Sequence, residues 1–130
     1  MTIPKDIKEI NQGAFCGSKE LTSVVIPKSV QKIGTGVFAE CKNLTEVSIQ
    51  AEIDRLENYM FFLCSGLKKV KLPESVQELG YCAFSDCVSL ENIVLPESLT
   101  SIEEKTFEGC RKLKKITLQK NITDIGDYAF

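Results

Sequence analysis

The sequence predicts an α/β solenoid, a repeat protein whose coils each contribute short parallel β-strands and a short 3₁₀ or helical turn. Aliphatic residues recur every 23 positions, at Ile3, Ile26, Ile49, Leu72, Leu95 and Leu118. Phenylalanines keep the same interval, at Phe15, Phe38, Phe61, Phe84, Phe107 and Phe130. No insertion or deletion disturbs either series. A unit of this length is shorter than the helix pairs of other repeat classes, which need about 33 residues, and suits one coil of a solenoid.

The repeats define one domain, residues 1–130, made of five full units and a partial sixth. We number these units as coils one to six: 3–25, 26–48, 49–71, 72–94, 95–117 and 118–130. One coil cannot bury its apolar side chains alone, so stacking must place equivalent residues on each other at about 4.8 Å, the spacing of paired strands.

Each unit contains a short strand with alternating burial. In residues 44–49, Val47 and Ile49 alternate with polar neighbours, which predicts a strand whose aliphatic side chains face inward. Proline follows this strand at Pro27, Pro73 and Pro96. Since proline cannot donate to a strand ladder, it marks the turn out of the strand.

A second strand and a tight turn complete each unit. Residues 29–34 read SVQKIG, an apolar pair closed by glycine, which predicts a second short strand. In residues 83–90, the spacing of Phe84, Cys87 and Leu90 favours a turn of 3₁₀ or α-helix over a strand.

Composition excludes several classes of function. The chain is 43% hydrophobic and 26% charged with a net charge of −2, which disfavours both disorder and nucleic-acid binding. No apolar run approaches the roughly 18 residues of a membrane span, so no membrane insertion is expected. The residues after Met1 already follow the repeat, so we expect no secretion signal here. A cytosolic protein, a mature form or a piece of a longer chain would each account for this.

The repeat resembles the BspA-like, or treponemal-type, leucine-rich repeat. Residues 67–87, LKKVKLPESVQELGYCAFSDC, and residues 90–110, LENIVLPESLTSIEEKTFEGC, carry its pattern almost in full. The resemblance implies a right-handed leucine-rich-repeat solenoid in which strands such as Lys69–Lys71 line a concave face. It also implies a place on the surface of a bacterium or parasitic protist, and an adhesin-like role.

Coil three and both ends depart from the pattern. Coil three lacks the proline, serine and glycine of its neighbours, and coil one has Ser18 where other coils have cysteine. No polar capping coil precedes Ile3 or follows Phe130, although isolated solenoids need caps. We therefore expect either a part of a longer array or a homo-oligomer formed through the uncapped ends.

The cysteines are best explained as packing residues. Four occupy one repeat column, at Cys41, Cys64, Cys87 and Cys110. Zinc would need closely spaced pairs, and disulfides between coils would need side chains that turn toward each other. A ladder of small buried thiols remains the favoured interpretation. Cys16 and Cys82 lie outside the column and are expected to be exposed.

No catalytic residue, metal or cofactor is predicted. The chain has no histidine to activate a nucleophile or bind a metal. Glu103, Glu104 and Glu108 are expected on a solvated face rather than in a catalytic pair. The glycines at Gly34, Gly80 and Gly126 fit a turn, because no phosphate-binding motif follows them.

The outward strand positions are the predicted binding surface. The candidate binding residues are Glu46, Ser48, Lys69, Lys71, Asn92, Val94, Lys115 and Thr117. Lysines and Arg111 make part of this side basic, so an acidic protein patch or an acidic glycan is the expected partner. A solvated face whose charges prevent edge aggregation is the alternative.

Coil three offers a second, apolar candidate. Phe62 and Leu63 occupy positions that are small or polar in most other coils, such as Ser85 and Asp86 in coil four. They form either an exposed interface or a local repacking of the irregular coil.

The sequence therefore predicts a non-catalytic protein-binding module. The resemblance implies that it is a cell-surface or secreted adhesin-like protein that binds host or matrix proteins. An intracellular interaction scaffold in the cytoplasm is the alternative, supported by unbridged cysteines. A carbohydrate-active β-solenoid enzyme is a remote third, since it would need clustered carboxylates around a cleft.

Overall fold

A computed structural model describes residues 1–130 as a solenoid of nine short strands. The strands are β1 Glu9–Ile10, β2 Ser23–Ile26, β3 Lys32–Ile33, β4 Glu46–Ile49, β5 Arg55–Leu56, β6 Lys69–Lys71, β7 Glu78–Leu79, β8 Ser101–Ile102 and β9 Asp124–Ile125. Every ladder is parallel and pairs residues 23 positions apart, such as Val24 with Val47. The predicted solenoid is confirmed, and the second predicted strand position is confirmed in every coil, whereas the first forms a strand only in β2, β4 and β6.

The strands form two rows on different sides of the coil. The first row is a three-stranded sheet in the order β2-β4-β6, which we call the strand face. The second row consists of a two-stranded sheet, β1-β3, and a four-stranded sheet, β5-β7-β8-β9. Each row is therefore incomplete, and the two rows are interrupted at different coils.

The predicted helical turns are absent, so the fold has no α component. The chain around each phenylalanine forms consecutive turns, and no helix is present that could cross a membrane. The reason lies in the backbone two residues before and two residues after each phenylalanine. In coil three these are Tyr59 and Leu63, with φ of 57° and 59°, and glycines such as Gly36 and Gly17 take these positions elsewhere. A left-handed residue on both sides interrupts any right-handed helical run.

A column of stacked phenylalanines forms the centre of the core. Ring centroids of successive coils lie 5.3–5.8 Å apart from Phe15 to Phe130, with planes within 18° of parallel. Four of these rings, from Phe38 to Phe107, are at most 1% exposed. These rings belong to one continuous core with the buried aliphatic residues of the repeat.

The cysteine column fastens each coil to the one before it. The thiols of Cys41 and Cys64 donate to the backbone carbonyls of Phe15 and Phe38 at 3.0 Å. Cys87 and Cys110 repeat the contact with Phe61 and Phe84 at 3.1 Å. All six cysteines are free, so the predicted ladder of buried thiols is confirmed for this column, although Cys110 is only partly buried.

Coil three interrupts the second row. After the first strand, the other full coils close a turn such as Val76 N–H to Pro73 C=O, whereas in coil three the Ile53 N–H donates to Ala51 C=O. Ala51 is fully buried where coil four has the exposed Glu74. After this tighter turn β5 does not pair with β3, and a polar cleft of about 510 Å³ lies between them.

Candidate functional site

The strand face brings together four of the eight predicted binding residues. Glu46 and Ser48 lie on β4, and their register neighbours on β6 are Lys69 and Lys71. Val47 between them is buried at 1% exposure, so the flanking side chains point outward as alternation requires. These four side chains form a compact block on the sheet.

The other four predicted residues are exposed but do not lie on strands. Asn92, Val94, Lys115 and Thr117 stand in segments without ladder bonds, and Val94 is 80% exposed. The expected strands in coils four and five are therefore wrong. Asparagine is unfavourable in strands, and segment 115–118 has no paired neighbour once segment 92–95 is irregular.

The lysines of this side are free of intramolecular ion pairs. Seven exposed cations lie on or beside the outward positions of coils three and five: Lys68, Lys69, Lys71, Arg111, Lys112, Lys114 and Lys115. None has a carboxylate within 4.0 Å, because the five salt bridges of the chain all involve Lys32, Arg55 or Lys105. A hollow of about 240 Å³ lies among Glu91, Asn92, Lys112 and Lys114. We call these seven cations the basic surface.

Phe62 and Leu63 are half-buried, which is intermediate between the two sequence interpretations. Phe62 belongs to an aromatic cluster that the sequence did not indicate. The Tyr59 ring packs edge-on against Phe62 at 5.5 Å and against Tyr81 at 5.3 Å. Tyr59 is 37% exposed, so the cluster reaches solvent. Tyr59 and Tyr81 come from different coils and different repeat columns, which hid the contact from sequence reasoning.

An arginine-centred network lies beside this cluster on the second row. The Arg55 Nη1 contacts Glu78 at 2.5 Å and Glu103 at 2.9 Å, and its Nη2 donates to Asn58 at 2.6 Å. Glu103 also accepts from the Tyr81 backbone N–H at 3.0 Å. Side chains from coils three, four and five are thus tied together.

The network sets the charge states of its members. A hydrogen bond with Glu78, and then the Arg55 guanidinium, hold the pKa of Glu103 below its ordinary value of 4.5. Hydrogen bonding to Glu103 raises the pKa of Arg55 above its usual range. Glu103 was expected on a solvated face, and this is wrong, because the side chain is two-thirds buried in the network.

Glycine alternates with larger residues in the column that contains Glu103. Gly34, Gly80 and Gly126 occupy every second coil, and Glu57 and Glu103 stand between them. A Cβ on Gly80 would lie 2.7 Å from the Leu56 carbonyl and 2.8 Å from the Asn58 nitrogen. Glycine is therefore required where a coil approaches its predecessor this closely.

The two cysteines outside the column differ from each other. Cys16 is exposed, as predicted, whereas Cys82 is buried at 5% exposure, which corrects the prediction. Cys82 takes the left-handed position of coil four with φ of 53°, and its burial raises the pKa of the thiol. No three Cys, Asp or Glu side chains are arranged to hold a metal ion.

The repeat pattern matches a known family over the whole chain. Six copies of the BspA type leucine-rich repeat region match residues 1–93 and 77–130. The chain belongs to the BspA-type leucine-rich repeat family. This confirms the resemblance seen in the sequence, and such leucine-rich repeats are typically protein-interaction modules.

Three crystal structures are similar to this leucine-rich repeat chain. A leucine-rich repeat protein from Bacteroides ovatus shares 31% identity over 97% of this chain and 32% of its own, with a TM-score of 0.86. A leucine-rich repeat protein from Eubacterium ventriosum shares 29% identity over 99% of this chain and 41% of its own, with a TM-score of 0.91. A leucine rich cell surface protein from Faecalibacterium prausnitzii shares 32% over 97% and 31%, with a TM-score of 0.82.

The leucine-rich repeats of this chain span less than half the length of those three proteins. No curated protein sequence matches the chain.

Proposed function

We propose that this leucine-rich repeat chain is a non-catalytic protein-binding module that uses the basic surface to contact an acidic patch on its partner. The observation that carries the proposal is that seven exposed cations of coils three and five have no intramolecular ion pair. Uncompensated charges of one sign raise the rate of encounter with an oppositely charged surface and select against partners of the same sign.

The scaffold supports this use of the surface. Inward side chains such as Val47 and Val70 hold the strands, so the outward positions are free to vary without loss of the core. Lys69 and Lys71 extend from the edge strand β6, and Lys115 lies two coils further along the same repeat column as Lys69. A partner that spans coils three to five would meet all three.

We propose a location at the cell surface, where the partner is a host or matrix protein. The support is the similarity to a leucine rich cell surface protein from Faecalibacterium prausnitzii. The alternative is an intracellular interaction scaffold, which six unbridged cysteines favour. Protease treatment of intact cells separates them: removal of the protein supports the surface location, and full protection supports the scaffold.

Charge reversal tests the binding surface. The variant Lys69→Glu/Lys71→Glu/Lys115→Glu is compared with a control, Lys5→Glu/Lys8→Glu/Lys28→Glu, which changes the same net charge at exposed positions elsewhere. Partners are sought in a screen of matrix and host-surface proteins, with heparin as an acidic glycan probe. We expect the first variant to weaken protein binding by about tenfold or more and the control to weaken it far less.

Equal losses in both variants, or no loss in either, would contradict the proposal. Binding of heparin without any acidic protein would instead identify a glycan-binding surface.

We also propose that copies of the chain associate through the apolar ends of the solenoid. Leu118, Ile125 and Phe130 are each 45–54% exposed on the last coil, and an apolar hollow of about 300 Å³ lies beside Ile7 and Phe15 on the first. We expect the mass by light scattering to rise with concentration, and Ile125→Lys to reduce the rise. A wild-type monomer at every concentration excludes this association.

A further inference from the structure

We propose a second binding site, the groove beside Tyr81, which takes an arginine-bearing basic segment of a protein partner. The site lies on the second row of strands and shares no residue with the basic surface. Its test therefore stands apart from the test of the proposed function.

The residues that line the groove are acidic, and the cation that pairs with two of them, Arg55, lies outside the lining. It has a volume of about 500 Å³ and is lined by nine residues. Four of them are carboxylates, Glu78, Glu103, Glu104 and Asp124, and none is a lysine or arginine. In a concave site with one sign of charge, the local potential favours a ligand of the opposite sign.

Two of these carboxylates form ion pairs with Arg55, and the other two are available to bind a cation from a partner. Glu78 and Glu103 bind Arg55, so they hold the coils together. The only cation within 4.0 Å of the Glu104 carboxylate is the Lys105 ammonium group, at 3.9 Å. About half of the Glu104 side chain is exposed, so this ion pair is weak. Asp124 accepts only from the neighbouring Thr123 hydroxyl, at 2.8 Å. Glu104 and Asp124 are therefore the carboxylates that an incoming cation would meet.

The aromatic cluster supplies the second half of the site. Tyr81 lines the groove, and the partly exposed Tyr59 ring packs edge-on against it at 5.3 Å. Aromatic faces attract cations, and they attract arginine more often than lysine. The planar guanidinium is also less strongly hydrated than an ammonium group and binds carboxylates through two parallel hydrogen bonds. Aromatic rings beside free carboxylates thus favour arginine.

Tyr59 occupies a left-handed backbone position that glycine fills in the first two coils. Its φ is 57°, and the equivalent residues of the first two coils are Gly13 and Gly36, which adopt this conformation without strain. A side chain in the left-handed region costs about 1–2 kcal/mol. Coils four to six also place non-glycine residues there, so only the partly exposed ring of Tyr59 and its contact with Tyr81 bear on the site.

Labelled peptides test the site directly. Fluorescein-labelled octa-arginine, octa-lysine and octa-glutamate are titrated with the protein, and binding is followed by fluorescence anisotropy. We expect octa-arginine to bind more tightly than octa-lysine and octa-glutamate not to bind. Absence of octa-arginine binding, or equal binding of the two basic peptides, overturns the proposal.

Two variants locate the binding. Tyr59→Gly removes the ring and suits the backbone, so it should fold, and we expect about fivefold weaker octa-arginine binding from the lost aromatic face. Its control is Tyr128→Gly, the same substitution in the same repeat column with φ of 54°. Glu104→Gln/Asp124→Asn removes the two available charges, and we expect about tenfold weaker binding. Its control is Glu74→Gln/Glu97→Gln, at exposed positions outside the groove.

Circular dichroism checks that every variant folds. Unchanged binding in Tyr59→Gly, or equal loss in the groove and control variants, overturns the assignment, since the attraction would then be a property of net charge alone.

Discussion

Coil three and coil four share the phenylalanine and cysteine at the centre of the core and differ on the surface. Phe61 and Phe84 are both fully buried, as are Cys64 and Cys87. In the left-handed positions, coil three has Tyr59 and Leu63, where coil four has the buried Cys82 and the half-buried Asp86. It also has Arg55 where coil four has Glu78, and these two residues bind each other.

The difference shows that the inward columns hold the fold while the outward residues are free to change. Coil three lacks the turn of its neighbours and the ladder between β3 and β5, but it keeps its buried column. In exchange it gains the aromatic cluster and the Arg55 network. The coil that matches the repeat least closely is therefore the one with most of the distinctive surface.

The largest expected effect tests whether the phenylalanines of coil three and coil four contribute equally to stability. Phe61→Ala and Phe84→Ala should each lower the free energy of unfolding by about 3–5 kcal/mol, because each leaves a cavity in the stacked column. Urea unfolding measures both.

Phe130→Ala is the control, since that ring is 54% exposed and should cost far less. A much smaller loss for Phe61→Ala than for Phe84→Ala would mean that coil three is loosely packed.

The next effect concerns the link between the coils. Arg55→Met leaves Glu78 and Glu103 without their cation, and we expect a loss of about 1–2 kcal/mol, since a quarter of the arginine side chain is exposed. Lys32→Met is the matched control in the same column of coil two, where the lysine is 76% exposed and 3.9 Å from Glu9. A loss as large in the control would show that the network has no special role.

The same variant has a pH signature. The pKa of Glu103 is lower in the fold than its ordinary 4.5, so its stabilisation is complete above that value and is lost as pH falls through the lower folded pKa. The stability gap between wild type and Arg55→Met should therefore shrink below about pH 4.5. Unfolding series from pH 7 to about pH 3 measure it, and a constant gap would remove Glu103 as the cause.

A smaller effect separates backbone strain from side-chain contacts. Leu63 and Asp86 occupy the same repeat position with φ of 59° and 60°. At each site the glycine variant should be more stable than the alanine variant by about 1 kcal/mol, because only glycine relieves the left-handed strain. A difference in coil four but not in coil three would show that coil three adopts another backbone.

The smallest effect is on reactivity. Burial raises the pKa of Cys64 and of Cys110 to about 12, and raises that of Cys87 as well. We expect a thiol reagent at pH 8 to modify Cys16 rapidly and the others slowly. Cys16→Ser should abolish the fast phase, and a fast phase that survives would place Cys82 at the surface.

Much of the fold could be predicted because the core repeats. Phe38, Phe61 and Phe84 are equivalent in sequence, so one periodicity located the buried column and the stacking axis. The helical turn failed because the spacing of Phe84, Cys87 and Leu90 is compatible with successive turns, and the sign of φ at Cys82 and Asp86 is not visible where the residue is not glycine.

The site was less predictable because its contacts cross between columns. Arg55 reaches Glu103, which is 48 positions away, and no 23-residue alignment brings the two together. The strands expected at Asn92 and Lys115 were inferred from the repeat alone, which carries no information on whether a ladder is continuous. Lys69 and Lys71 could be placed because alternation within one strand fixes the direction of a side chain.

Glycine and glutamate alternate in the repeat column of Gly80, so along this column the solenoid repeats every two coils. Gly80 lies between Glu57 and Glu103, so neighbouring coils are of two kinds, odd and even. Deleting coil four would set Glu103 directly against Glu57, with two carboxylates in register and no glycine between them. Deleting coils four and five together would restore the order. We therefore expect that coils can be deleted or inserted in even numbers without bringing two glutamates into contact, and that an odd number brings them together.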